Sequence, residues 1–409
     1  MPDASYAATH VSRSTVEPRR FSVIGPILST VAFTFVTYLT IGLSLAVLPG
    51  FVHGTLGFGA VMAGLSISMQ YVATLISRAR AGHMADTLGP KRTVLAGLVM
   101  CGVSGLLLLF GALAATIPAL SLGLILMARL ALGCAESGVA TGAIAWGMAQ
   151  VGHQHTGRVI SWNGVATYGA IAAGAPLGVL IAHSFGFAAI GALSLVLMVI
   201  AFPLARLKRA TPLAAGERSS IRRVAARVVP HGIGLALGSL GFGCIATFIT
   251  LLYAFHGWSD AALTLSIFGV MFVGTRFVFG KMITRVGGYR VAMVSFAIEA
   301  IGLAMLWLAS GMWMAAAGAA VAGLGFSLVF PSLGVEAVNR VPENSRGAAI
   351  AVFSVFLDVA MVAVGPLGGL IAAGMGFNSI YGFAALAAVL AVALTLVLKT
   401  RTERSLSVA

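Results

Sequence analysis

Charge is what this sequence has least of. Asp, Glu, Lys and Arg make up 9% of its 409 residues, where a soluble chain carries roughly 25%. With 59% hydrophobic residues and a mean hydropathy of +1.02, the surface must face something other than water, and lipid is the candidate. Cysteine is equally scarce. Cys101, Cys134 and Cys244 all lie in apolar stretches, which excludes a disulfide framework. The histidines show no metal-ligand spacing, and no Gly-x-x-x-x-Gly-Lys-Ser/Thr loop is present, so neither a metal nor ATP hydrolysis is indicated. No enzyme signature and no cofactor site stands out.

Acid is scarcer than base: 11 Asp and Glu against 25 Lys and Arg, a net charge of +14. Such a surplus suggests nucleic acid, but a nucleic-acid protein gathers its charge on one face. Here Arg13, Arg19 and Arg20 precede the first apolar run, and Arg78, Arg80, Lys91 and Arg92 surround the first short loop. Seven more lie between Arg206 and Arg227, and Arg276, Lys281, Arg285 and Arg290 flank a later loop. The charge follows topology, and no nucleic-acid partner is expected.

What is present is length without interruption. A membrane helix needs about 20 largely apolar residues. Twelve such stretches run near 22–48, 58–81, 93–114, 119–147, 157–182, 186–205, 231–255, 260–281, 291–310, 313–338, 346–373 and 377–398. Each must be a helix, because a lone span in lipid satisfies its own backbone hydrogen bonds. Residues 1–20 are polar, so no cleavable leader is expected, and the first run is an uncleaved membrane helix. Alternate loops hold all the Lys and Arg except Arg129, while turns such as 49–57, 115–118 and 374–376 hold none. The positive-inside rule then puts both termini in the cytoplasm. The expected location is a bacterial inner membrane, with lipid as a partner.

The basic stretch 206–230 divides the chain. The expected organisation is a tail over 1–21, a six-helix bundle over 22–205, a linker over 206–230, a second bundle over 231–398 and a tail over 399–409. The halves repeat. Gly82-His-Met-Ala-Asp86-Thr-Leu-Gly89-Pro-Lys91-Arg92 recurs as Gly280-Lys-Met-Ile-Thr284-Arg-Val-Gly287-Gly-Tyr289-Arg290. Gly174-Ala-Pro176-Leu-Gly178 recurs as Gly365-Pro366-Leu-Gly368 with its flanks. Duplicated halves allow one bundle to rock against the other around a central site.

Four buried ionisable groups are candidates for proton coupling. Asp358 lies mid-span with no basic residue between Arg346 and Lys399, and a carboxyl without a partner in lipid is poised to take up and release a proton. Arg129 lies inside the fourth span, and Glu136, seven residues on, shares its helix face. These two are expected to form a clamp or a coupling pair. Glu299 in the ninth span is a further acid. Gly82, Asp86, Gly89, Lys91 and Arg92 form a candidate gate loop, with glycine for the turn and an acid and bases to pair on closing. Gly174, Pro176, Gly178 and Pro366 are candidates for a kinked gate. Tyr38, Gln70, Asn163 and Tyr168 are candidates to line a polar cavity.

The 82–92 loop and Arg129-Leu-Ala-Leu-Gly133 resemble two signatures of the major facilitator superfamily, the second loop copy lacking the acid at Thr284. The 174–178 segment resembles the fifth-helix motif of that superfamily's antiporters, with Ala175 where glycine is usual. Residues 38–53, 157–164, 243–251 and 325–331 resemble its YhhS/YfcJ-type bacterial branch. The expected fold is all-α, twelve membrane helices in two pseudo-symmetric six-helix bundles. The resemblance implies an inner-membrane, proton-linked transporter. The expected partners are a small-molecule substrate and protons, with the chain a monomer. The expected function is proton-coupled efflux by alternating access. The alternatives are a proton-coupled importer and, more remotely, a non-transporting membrane sensor or scaffold.

Overall fold

A computed structural model describes residues 21–152, 155–211, 221–342 and 346–407. The N-terminal tail, His153 and the middle of the central linker lie outside these. Twelve membrane-length helices run through the described residues. We number them α1 (Phe21–Leu45), α2 (Ala60–Thr87), α3 (Pro90–Leu113), α4 (Pro118–Val151), α5 (Thr156–Phe185) and α6 (Ala188–Leu207). The second half comprises α7 (Ile221–His256), α8 (Ala261–Phe279), α9 (Gly288–Trp307), α10 (Met312–Phe326, resuming as Val329–Val338), α11 (Arg346–Met375) and α12 (Phe377–Ser407).

Helix ends depart from the apolar runs where charge begins. Residues 221–230, expected as linker, already belong to α7, and the expected tail is helical to Ser407. Hydropathy marks where a helix leaves lipid, not where its hydrogen bonds stop. The expected turn at 49–57 is also mostly helical, through a short segment at Leu48–Gly50 and one wide turn at Phe51–Thr55. Gly82 and Asp86 stand inside α2, not in a loop. The sharp reversal is made by Gly89, whose φ of 95° suits glycine, and its repeat mate Gly287 has a φ of 94°.

Within the first half, α4 packs on α3 and α2, α1 on α5, and α3 on α6; within the second, α7 packs on α11 and α12, and α9 on α10 and α12. Two main seams join the halves, α2 with α11 and α5 with α8. Lipid is as apolar as leucine, so helices gain by close backbone approach at small residues. Gly64 and Gly365 press together so that a Cβ on Gly64 would stand 2.4 Å from the Gly365 carbonyl oxygen. Gly369 meets Val61, and Gly269 meets Ala172. These contacts join the halves from the face opposite the termini to mid-membrane. The 174–178 segment serves a different contact. A Cβ on Gly174 or Gly178 would strike the α1 backbone at Leu39, Gly42 and Leu43, so α1 and α5 form one unit. The helices run unbroken through Pro176 and Pro366.

A Cβ on Gly178 would lie 2.0 Å from the Leu43 carbonyl oxygen. Gly178→Ala should therefore destabilise the protein by about 1–3 kcal/mol through overpacking, seen as a lower thermal midpoint in detergent. Gly82→Ala, inside α2 with open space around it, should not lower the midpoint and should raise it slightly, alanine being the better helix former by about 0.5–1 kcal/mol.

Candidate functional site

Three residues of α2 recur at helical spacing on one face: Gln70, Thr74 and Arg78. They tie an acid of the first half to an acid of the second. At one end Glu136 of α4 is 5% exposed and accepts from Gln70 Nε2 at 2.7 Å, Thr74 Oγ1 at 3.1 Å and Tyr38 Oη at 3.0 Å. At the other end Arg78 crosses to α11. Its Nε donates to Asp358 Oδ2 at 2.7 Å, Nη2 stands 2.6 Å from the same oxygen, and Nη1 reaches Ser354 Oγ at 3.4 Å. Asp358 is 1% exposed and Arg78 24%. A buried carboxylate against a guanidinium is a charge-assisted contact, about twice as strong as a neutral hydrogen bond.

Asp358 is therefore not unpartnered, as its own stretch of sequence suggests. Its partner lies 280 positions away. Arg78 reads in sequence as one of the cations around the first basic loop, at the end of the stretch 58–81. Helix α2 continues nine residues beyond it to Thr87, so it stands well inside the helix. One signal could have singled it out: Arg78-x-x-x-Gly82 recurs as Arg276-x-x-x-Gly280, at the loop repeat's own offset.

The expected Arg129–Glu136 pair does not form. Seven residues separate the two groups by about 10 Å of helix rise, and both side chains tilt toward the same end of α4. Each turns to another helix. Arg129 Nη1 donates to Ser44 Oγ at 2.9 Å, while its Nε and Nη2 are enclosed without a partner. Glu299 stands apart from both. It is buried within the second half, its carboxyl oxygens have no hydrogen-bond partner among the described residues, and Gly238 and Gly241 of α7 lie against them.

Of the cavity candidates, Tyr38 and Gln70 belong to the Glu136 cluster. Asn163 is buried and accepts from Thr34 Oγ1 at 2.8 Å. Tyr168 joins an aromatic group at the α5–α8 seam, its ring 4.2 Å from Phe272 and 6.1 Å from Phe242. In the gate loop, Lys91 Nζ donates to the Arg206 carbonyl at 2.6 Å, within its own half. Among the described residues no group of three or more His, Cys, Asp or Glu could hold a metal ion.

Two helical halves of repeated sequence, joined at two seams and bridged by a buried ion pair, define a secondary membrane transporter. The family model for the Major Facilitator Superfamily matches residues 30–259 and 231–408, and the chain belongs to that superfamily. An uncharacterised transporter of this type from Burkholderia mallei (strain SAVP1) is 55% identical over 392 residues, 96% of each chain. One from Pseudomonas aeruginosa (strain UCBPP-PA14) is 51% identical over 385 residues, 94% of this chain and 96% of that protein. The crystal structure of a D-xylose–proton symporter has the same fold, with a TM-score of 0.74, 15% identity, and coverage of 90% of this chain and 97% of that one.

Breaking one side of a buried ion pair costs about 3–5 kcal/mol, and partial exposure of Arg78 places this pair near the lower value. Arg78→Ala and Asp358→Ala should each lower stability by about 3 kcal/mol, and the double variant by at least about 1 kcal/mol less than their sum. A double-mutant cycle in detergent measures this. Strict additivity would mean that the two groups do not interact.

Proposed function

We propose that the protein couples transport to protons at Asp358 and exports a small organic molecule by alternating access. The observation that supports this is the Arg78–Asp358 pair, which joins α2 of one half to α11 of the other. Ionised, the carboxylate holds the guanidinium and keeps the two helices together. A proton removes the negative charge and the charge-assisted bonds with it, so loading Asp358 releases the seam. The Glu136 cluster and Arg129, in the first half, are the proposed route or counter-charge for that proton. Glu299, remote from the seam, is the weaker candidate. The 82–92 segment is the proposed latch on the basic face, which the Lys and Arg distribution assigns to the cytoplasm. The protein is proposed to act as a monomer in the inner membrane, with both termini inside.

Export is supported by the resemblance of the 174–178 segment to antiporter sequences. An importer working with the same carboxyl is the second reading. Everted vesicles with an imposed proton gradient separate the two. Compounds exported in exchange for protons should collapse the gradient with the natural protein and not with Asp358→Asn. Collapse by both proteins would move the proton site elsewhere. Accumulation in right-side-out vesicles, driven by an inward proton gradient, would replace export with import.

Orientation has its own test. A reporter enzyme active only outside the cytoplasm should be active when fused after Thr55 and inactive when fused after Ser407, and the reverse pattern would invert the topology.

A further inference from the structure

The internal repeat extends to the ion pair itself. The offset of 198 that relates Gly82 to Gly280 also relates Arg78 to Arg276. The offset of 190 that relates Pro176 to Pro366 sets Tyr168 against Asp358 and Gly164 against Ser354. The structure keeps this correspondence. Arg78 crosses from α2 to Asp358 and Ser354 on α11. Arg276 crosses from α8 to α5, where a Cβ on Gly164 would stand 2.6 Å from its Nη1. Its guanidinium lies 5.5 Å from the centre of the Phe272 ring, against which Tyr168 also packs.

Both side-chain acceptors of the first seam are missing from the second. A phenol replaces the carboxylate, and a hydrogen atom replaces the hydroxymethyl group. Among the described residues no hydrogen bond or ion pair is made by Arg276. A guanidinium carries five donors, and leaving even a half-buried charge unpaired is unfavourable. Arg129 is also under-partnered, but its free nitrogens are sealed in. Arg276 is half-buried, and none of its nitrogens is sealed in that way. One face of the group is aromatic, and the opposing helix is pared to glycine.

We propose that Arg276 receives an anionic group of the transported molecule, so that the substrate is a small organic anion, a carboxylate or a phosphate monoester. The planar fork of arginine matches either oxyanion. The substrate's charge takes the place that Asp358 fills on the other seam. This rests on transport by alternating access and not on its direction. Exchange of a monovalent anion for an entering proton displaces charge in one sense twice per cycle, whereas moving both together is electrically neutral.

The test uses the purified full chain, with phenylglyoxal labelling of arginines followed by mass spectrometry. Benzoate, succinate and glycerol phosphate are the probes, choline and glucose the controls, and exposed Arg158 the internal reference. At least one anion should slow labelling of Arg276 severalfold without slowing Arg158, and the controls should not. Tyr168→Asp, which supplies an internal carboxylate, should slow labelling by itself and remove the anion's effect. Independently, Arg276→Gln should lose any rise in melting temperature that the protecting anion gives. Protection by none of the anions, or equal protection by choline or glucose, overturns the proposal. Proton-coupled flux of neutral or cationic compounds alone overturns it while sparing the transport reading. Protection without any anion flux in reconstituted vesicles keeps the site and overturns transport.

Discussion

Hydrocarbon contains no water to satisfy a polar group left unpaired, and most of this structure answers that fact. Backbone groups close on themselves in twelve long helices. Serine and threonine hydroxyls turn back onto carbonyls one turn earlier, as Ser194 does to Ile190 and Thr395 to Ala391. With no hydrophobic gain from moving a leucine out of lipid, contact between helices depends on close approach. Gly302 fits against Gly318 and Ala322, and Gly105 against Gly191 and Leu195, at separations where a Cβ would collide. Small residues therefore do in this protein what large apolar ones do in a soluble core.

The same constraint sorts the charges. Arg78 and Asp358 neutralise each other across a seam, and Glu136 is held by three donors from two helices. Among the described residues Arg129 has one acceptor, and Glu299 has no donor. The groups with the most complete partnerships lie where the two halves meet or beside that seam. The alternating access proposed above would break contacts there, and an ion pair that one proton can neutralise suits being broken and remade.

The two seams share an ancestry in sequence but not in chemistry. Glycine contacts hold the α2–α11 seam toward the face opposite the termini, and the ion pair holds it beyond mid-membrane. On the α5–α8 seam the corresponding arginine rests on glycine and an aromatic ring. The repeat places two arginines in equivalent positions, and among the described residues only Arg78 of the two has an acid beside it.

Twelve spans, the division into halves and the repeat were legible from the chain alone, because lipid imposes a length and an apolar content that each segment meets by itself. Gln70, Tyr38, Glu136 and Asp358 were legible as polar groups in apolar helices for the same reason. Their partners were not. Arg129 and Glu136 share a helix face and yet do not touch, because rise along the axis, not angle around it, separates them. Arg78, at the end of the stretch 58–81, looked like one more cation around a basic loop until its contact with Asp358 was seen. Which acid meets which base depends on how two halves dock. The sequence by itself determined the helices and the repeat, since those are local responses to the solvent. Only the tertiary structure decided the pairings, since residues hundreds of positions apart become neighbours through packing that no local pattern encodes.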